Sequence, residues 1–179
     1  IFLALMGEIN EGVGPLVIPR LTILEKEDLR LALFAIALKG KPEWLPEASA
    51  GSTSVLTADV LEGGLPALRW QFTLAGGAKA QQYSALRFPV GKGLAGQDRI
   101  QVRMRSDVPR RVWAQIRTGG DNAGERWGRT FYVDNTLTAI GLRFTDFRPL
   151  TKLSPDAAPL DRIDSVLLVV DTLNNLPGS

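Results

Sequence analysis

Residues 99–117 read RIQVRMRSDVPRRVWAQIR, and the architecture follows from this run. Its first half alternates, with Ile100, Val102 and Met104 apolar and Gln101, Arg103 and Arg105 polar between them. A turn follows in which Pro109 presets the backbone. Then the same period resumes, Val112, Ala114 and Ile116 against Trp113, Gln115 and Arg117. A period of two is the mark of a strand with one buried face.

The pattern spreads in both directions. Upstream, ALRWQFTL sets Leu68, Trp70, Phe72 and Leu74 against Arg69, Gln71 and Thr73, and Ala85–Phe88 reads as a short strand ended by Pro89. Downstream, the GGDNAGE turn leads to GRTFYVD, and AIGLRF alternates again before the DFRP turn. A polar connection over 150–159 precedes IDSVLLVVD, almost wholly apolar, as a strand buried on both faces is. Six or seven short strands separated by turn signals, with no helical pattern after residue 50, predict an all-β fold: an antiparallel β-sandwich or jelly roll over 51–179.

The first fifty residues read differently. LVIPRLTIL at 16–24 is strand-like, whereas LRLALFAIALKG at 29–40 fits either a strand or a helix; a hairpin around Glu25–Asp28 is the preferred reading. KPEWLPEASAGSTS, 41–54, reads as a connection. Residues 1–50 are therefore expected to be an N-terminal extension or the remnant of a preceding domain in a larger bacterial protein.

Composition limits the chemistry. The 179 residues include no cysteine and no histidine, which excludes disulfide frameworks, zinc fingers, thiol nucleophiles and every triad that needs imidazole. The formal charge is only +2, and no apolar run approaches the ~20 residues of a membrane-spanning helix. Residues 99–130 hold eight arginines against Asp107, Asp121 and Glu125, a local +5, but the arginines alternate along strands and match no nucleic-acid module; no nucleic-acid partner is expected.

The run DRIQVRMRSDVPRRVWAQIR, with ERWGRTFYVD, RFTDFRPL and LDRIDSVLLVVDTLNNLPGS, resembles galactose-binding-like jelly rolls. The nearest in style are family 11 carbohydrate-binding modules and the complex I intermediate-associated protein family. The likeness covers the last two-thirds of the chain and implies a non-catalytic module that binds glycans or protein surfaces. Such domains close with one more strand than is visible before LPGS, so the last strand is expected to be missing. They also often open with an acidic calcium motif, which 49–57 does not supply.

If the two central strands pair through the SDVPRR turn, Gln101, Arg103, Arg105, Trp113, Gln115 and Arg117 share one surface, with Trp127 and Arg129 extending it. Guanidinium forks and amides bond hydroxyls and carboxylates, and an exposed indole stacks on a sugar face. The expected partner is a glycan or acidic polysaccharide. The competing reading is a solvated face or an interface with a neighbouring protein domain. No catalytic residue, metal ligand or cofactor is assigned. Asp161, Asp164, Asp171, Asn174, Asp134 and Asn135 are calcium-type oxygen donors, but their spacing matches no loop motif and fits turn caps. The carboxylates Asp107, Glu125, Asp134 and Asp146 each lie in a turn, with no apolar pocket to set one up as an acid.

Overall fold

The computed structural model describes residues 22–25, 33–35, 44–60, 66–76, 82–91, 93–119, 124–152 and 154–175. Among the described residues twelve strands follow one another: β1 (Thr22–Glu25), β2 (Leu33–Ala35), β3 (Leu45–Ala48), β4 (Thr53–Val60), β5 (Pro66–Thr73), β6 (Tyr83–Pro89), β7 (Gln97–Met104), β8 (Arg110–Arg117), β9 (Arg126–Val133), β10 (Thr138–Arg143), β11 (Arg148–Pro149) and β12 (Ser165–Asp171). The helical elements among the described residues are single 3-10 turns at Phe144–Asp146 and Leu160–Arg162. Every pairing is antiparallel. A six-stranded sheet runs β11-β9-β8-β12-β6-β3, a four-stranded sheet β10-β7-β1-β2, and β4 and β5 form a two-stranded ribbon.

One core joins these layers, built from the alternating apolar positions. Ile100, Val102 and Met104 of β7 meet Val112, Ala114 and Ile116 of β8, Trp70 of β5, and Val166, Leu168 and Val170 of β12. Each large apolar side chain removed from water contributes about 1.5–3 kcal/mol. A slip of one residue in β8 would expose Val112 and Ile116 and turn Arg117 into the core, so register is tightly set. The expected β-sandwich is present, and its topology is a jelly roll of antiparallel sheets.

The pairing assumed for the central strands is not. β7 lies in the four-stranded sheet and β8 in the six-stranded one. The SDVP segment crosses between layers instead of closing a hairpin. Two strands on opposite sides of one core show the same alternation as two neighbours in one sheet, so the period does not separate these cases. Arg110, at the start of β8, lies over the Phe72 ring at 4.9 Å, tying the crossover to the ribbon.

Three strands come from the first fifty residues. β1 and β2 pair with each other, Ile23 opposite Phe34, as the hairpin reading expects; residues 16–21, 26–32 and 36–40 of that reading lie outside the described residues. β1 also pairs with β7. The segment read as a connection holds β3, which pairs with β6 along an edge that tolerates Pro46 because its missing N–H faces no further strand. Just before it, Trp44 is buried against Phe88, ring centroids 5.3 Å apart. Residues 176–179, after which a further strand was expected, also lie outside the described residues.

The GKGLAG loop is held by backbone. Leu94 donates to the Leu160 carbonyl at 2.6 Å, and Gly93 has φ +70° with the Asp161 carbonyl 2.4 Å from where a Cβ would stand. Both the positive φ and the close approach require glycine.

Trp127 is fully buried and its Nε1 donates to the Pro155 carbonyl at 2.7 Å. Urea unfolding of Trp127→Ala is expected to show a loss of about 3–5 kcal/mol. Leu173→Ala, at a site 73% exposed, should stay within about 0.5 kcal/mol of the parent.

Candidate functional site

The six-stranded sheet has one face on the core and one facing away from it. Register identifies the residues of the outward face. On β8 these are Arg111, Trp113, Gln115 and Arg117; beside them on β9 stand Tyr132, Thr130, Gly128 and Arg126. On β12, Val169, Leu167 and Ser165 oppose Trp113, Gln115 and Arg117. On β6, Tyr83, Ala85 and Arg87 oppose Asp171, Val169 and Leu167, and Glu47 of β3 opposes Ala85.

Small and aliphatic residues form the floor of this face. Ala85, Leu167 and Val169 make a cluster separate from the main core, with Tyr83 and Trp113 packed against it. At Gly128 a Cβ would meet the Leu150 Cδ1 at 2.8 Å and the Gln115 Cγ at 3.2 Å, so the absent side chain makes room for both neighbours.

Trp113 is set apart from the other tryptophans. Trp44, Trp70 and Trp127 are core residues, whereas Trp113 is half-buried on the outward face. Its Nε1 donates to Asp171 Oδ2 at 2.9 Å, while Asp171 Oδ1 accepts from the Asn174 backbone N–H at 3.0 Å and side-chain amide at 2.9 Å. Asn175 in turn donates to the Arg111 carbonyl at 2.9 Å. The turn after β12 thus fixes the indole orientation and leaves the ring's faces to its surroundings. Tyr132, 60% exposed, is the diagonal neighbour of Trp113 across β8 and β9, a separation of about 7–8 Å at which rings align. Tyr83 stands about 10 Å away, two strands across. Three rings therefore share one end of the face.

The other end is polar. Glu47 Oε1 accepts from Arg87 Nε at 2.5 Å and from an Arg117 terminal nitrogen at 3.4 Å, so Arg117 reaches over β12 and β6 to β3. Between the two ends stands Gln115, 8% exposed; its Oε1 finds no donor among the described residues. A buried acceptor without a donor is costly.

The structure therefore divides the residues picked out from sequence. Trp113, Gln115 and Arg117 do share the outward face of the six-stranded sheet. Arg103 and Arg105 belong to the opposite layer, on or just beyond β7, with the core between. Trp127 opposes Ile116 on the core face and offers no ring to a ligand. Arg129 opposes Ala114, on that same core-facing side at the sheet margin, where it is ion-paired with Asp146. Tyr83, Arg87, Tyr132, Arg111, Asp171 and Glu47 are the members that the sequence reading left out. Their signal was the same period of two: in YSALRFP, Tyr83, Ala85 and Arg87 alternate with Ser84, Leu86 and Phe88, but both sets are largely apolar.

The acidic residues have other work. Asp171 and Asp134 cap turns, the latter accepting the Thr136 N–H at 2.8 Å. Among the described residues no group of three or more acidic side chains is arranged to hold a metal. A cleft of about 300 Å³ between Phe144–Phe147 and Asp156–Leu160 shares no lining residue with the Trp113 face.

No protein-family model matches the chain, and no curated protein matches it. Solved structures do. A family 11 carbohydrate-binding module from Clostridium thermocellum, in complex with a β-1,3-1,4-mixed-linked tetrasaccharide, is similar with a TM-score of 0.64 at 16% identity, over 93% of this chain and 91% of that one. The family 11 module of the cellulosomal cellulase Lic26A-Cel5E of Clostridium thermocellum is similar with a TM-score of 0.61 at 17% identity, over 79% of this chain and 84% of that one. The fold is that of these modules. The likeness to the complex I intermediate-associated family rests on the sequence pattern alone.

Because three tryptophans are core residues, Trp113 should supply the readily quenched part of the fluorescence. Acrylamide quenching of Trp113→Phe is expected to fall to the slow, buried behaviour of the other three. Asp171→Ala should raise quenching of the parent by releasing the indole.

Proposed function

We propose that this chain is a non-catalytic carbohydrate-binding module of a larger bacterial protein, and that it seats a glycan on the outward face of the six-stranded sheet. Residues 51–179 supply most of the module, and β1, β2 and β3 from the first fifty residues pair into its two larger sheets. The observation that carries this reading is Trp113: one indole out of four outside the core, held by its edge through Asp171, at the same end of the face as Tyr83 and Tyr132. Rings fixed in this way offer flat apolar faces at little entropic cost, which suits the C–H face of a pyranose. The Gln115 amide and the guanidiniums of Arg111 and Arg87 meet sugar hydroxyls along the remaining length, with Arg117 holding Glu47 beneath them.

The fold likeness to modules that include one in complex with a mixed-linked tetrasaccharide supports a β-glucan as the first ligand to try. Sugar hydroxyls bond well to amide and guanidinium groups, while the ring stack supplies apolar burial; neither requires a metal or a titrating group. Arg103, Arg105, Trp127 and Arg129 take no part in this seat.

Affinity electrophoresis through gels containing mixed-linked β-glucan tests the reading. The parent is expected to be retarded, and Trp113→Ala to lose about tenfold or more in affinity, the scale of one buried aromatic contact. Tyr132→Ala should weaken retention less. If the folded parent is retained by no glycan, the face is a docking surface for a neighbouring protein domain instead.

A further inference from the structure

Arg103 and Arg105, separated by the core from the Trp113 face, stand in a second setting. β7 pairs with β10, so Arg99, Gln101 and Arg103 have Arg143, Gly141 and Ala139 beside them on the outer face of the four-stranded sheet. Arg105 follows directly after β7. Arg99 is held by Asp98 through contacts of 2.6, 2.9 and 3.1 Å. That hydrogen bond, with further help from Arg143, holds the Asp98 carboxyl below its ordinary range. Among the described residues, Arg103 and Arg105 have no hydrogen-bond or ion-pair partner. Among the described side chains here, the four guanidiniums of Arg99, Arg103, Arg105 and Arg143 outnumber the Asp98 carboxylate.

The space beside them is open. Ala139 and Gly141 are exposed, and a Cβ on Gly141 would meet nothing within 4 Å. The result is a shallow floor along β10 bordered by arginines that reach about 13 Å from Arg99 to Arg103 at the strand rise, with Arg105 extending the row.

We propose that this face is a second binding surface, for a carboxylated polysaccharide lying along β10. Guanidiniums spaced along a strand match carboxylates repeated along a chain, each able to accept a forked pair of hydrogen bonds. Single-stranded nucleic acid suits the face less well. None of the positions in register around the arginines, Ala139, Gly141 and Arg143 on β10 or Thr22 and Leu24 on β1, is aromatic, so these positions offer no ring on which a base would stack. This surface does not depend on the glycan seat at Trp113, and the two are separable by experiment.

The test is affinity electrophoresis of the full chain through polygalacturonate, at low and high salt, beside a neutral mixed-linked β-glucan gel. The parent should be retarded by polygalacturonate at low salt and released at high salt, because exposed charge pairs are screened. Arg103→Ser with Arg105→Ser should weaken that retention by about tenfold or more, the loss of at least one charge-assisted hydrogen bond. Ala139→Glu, an exposed change that adds a negative charge beside Arg103, should weaken it as well, and provides the check if the double variant folds poorly. Trp113→Ala should retain polygalacturonate binding. The proposal is overturned by no retention on polygalacturonate, by retention that ignores the arginine and Ala139 changes, by its loss in Trp113→Ala, or by stronger retention on single-stranded RNA. Retention on neutral glucan reports only on the Trp113 seat.

Discussion

Strand β12 has water on neither of its faces. Val166, Leu168 and Val170 enter the main core, while Leu167 and Val169 enter the smaller cluster with Ala85 on the other side. It also sits between β8 and β6, hydrogen-bonded to both. A strand of this kind cannot be displaced or shifted without opening two apolar layers at once, so its neighbours take their register from it. The outward face is defined by that register: Trp113 beside Val169, Gln115 beside Leu167, Arg117 beside Ser165.

The same strand sets the orientation of the site. Its last residue, Asp171, binds the Trp113 indole, and the turn that follows supplies Asn174 to Asp171 and Asn175 to the Arg111 backbone. A half-buried ring on an outward sheet face would ordinarily sample several rotamers; one tethered through Nε1 to a carboxylate that is itself held loses less entropy when a ligand arrives. At the other end, Glu47 gathers Arg87 and Arg117 across three strands, which draws the edge strand β3 into the same surface. The aromatic and polar ends are thus parts of one sheet face, joined by the buried Gln115.

Much of the sandwich was readable in the chain. The alternation of β5, β7, β8 and β10 gave their inward residues, and the continuous apolar run of β12 gave its central place. Trp113, Gln115 and Arg117 were readable as outward for the same reason. What misled was pairing: Arg103 and Arg105 have the same alternation as Trp113 and Gln115, yet stand on the other layer. Trp127 misled differently, since a tryptophan flanked by arginine and glycine looks like surface until the register with Ile116 turns it inward. Tyr83 and Arg87 were hidden because β6 is apolar on both faces, so periodicity marked neither.

The local period of two belongs to the chain, because steric alternation along a strand is set residue by residue and needs no partner. It established the fold class, the core positions and the reach of chemistry open to a protein without imidazole or thiol. Which strands become neighbours, and so which outward side chains meet, was decided by packing. Two strands separated by one core satisfy the same pattern as two strands in one sheet, and only burial of Val112, Ile116 and β12 against the opposite layer chooses between them. That choice placed Trp113 with Tyr83 and Tyr132, and left Arg103 and Arg105 on a surface of their own.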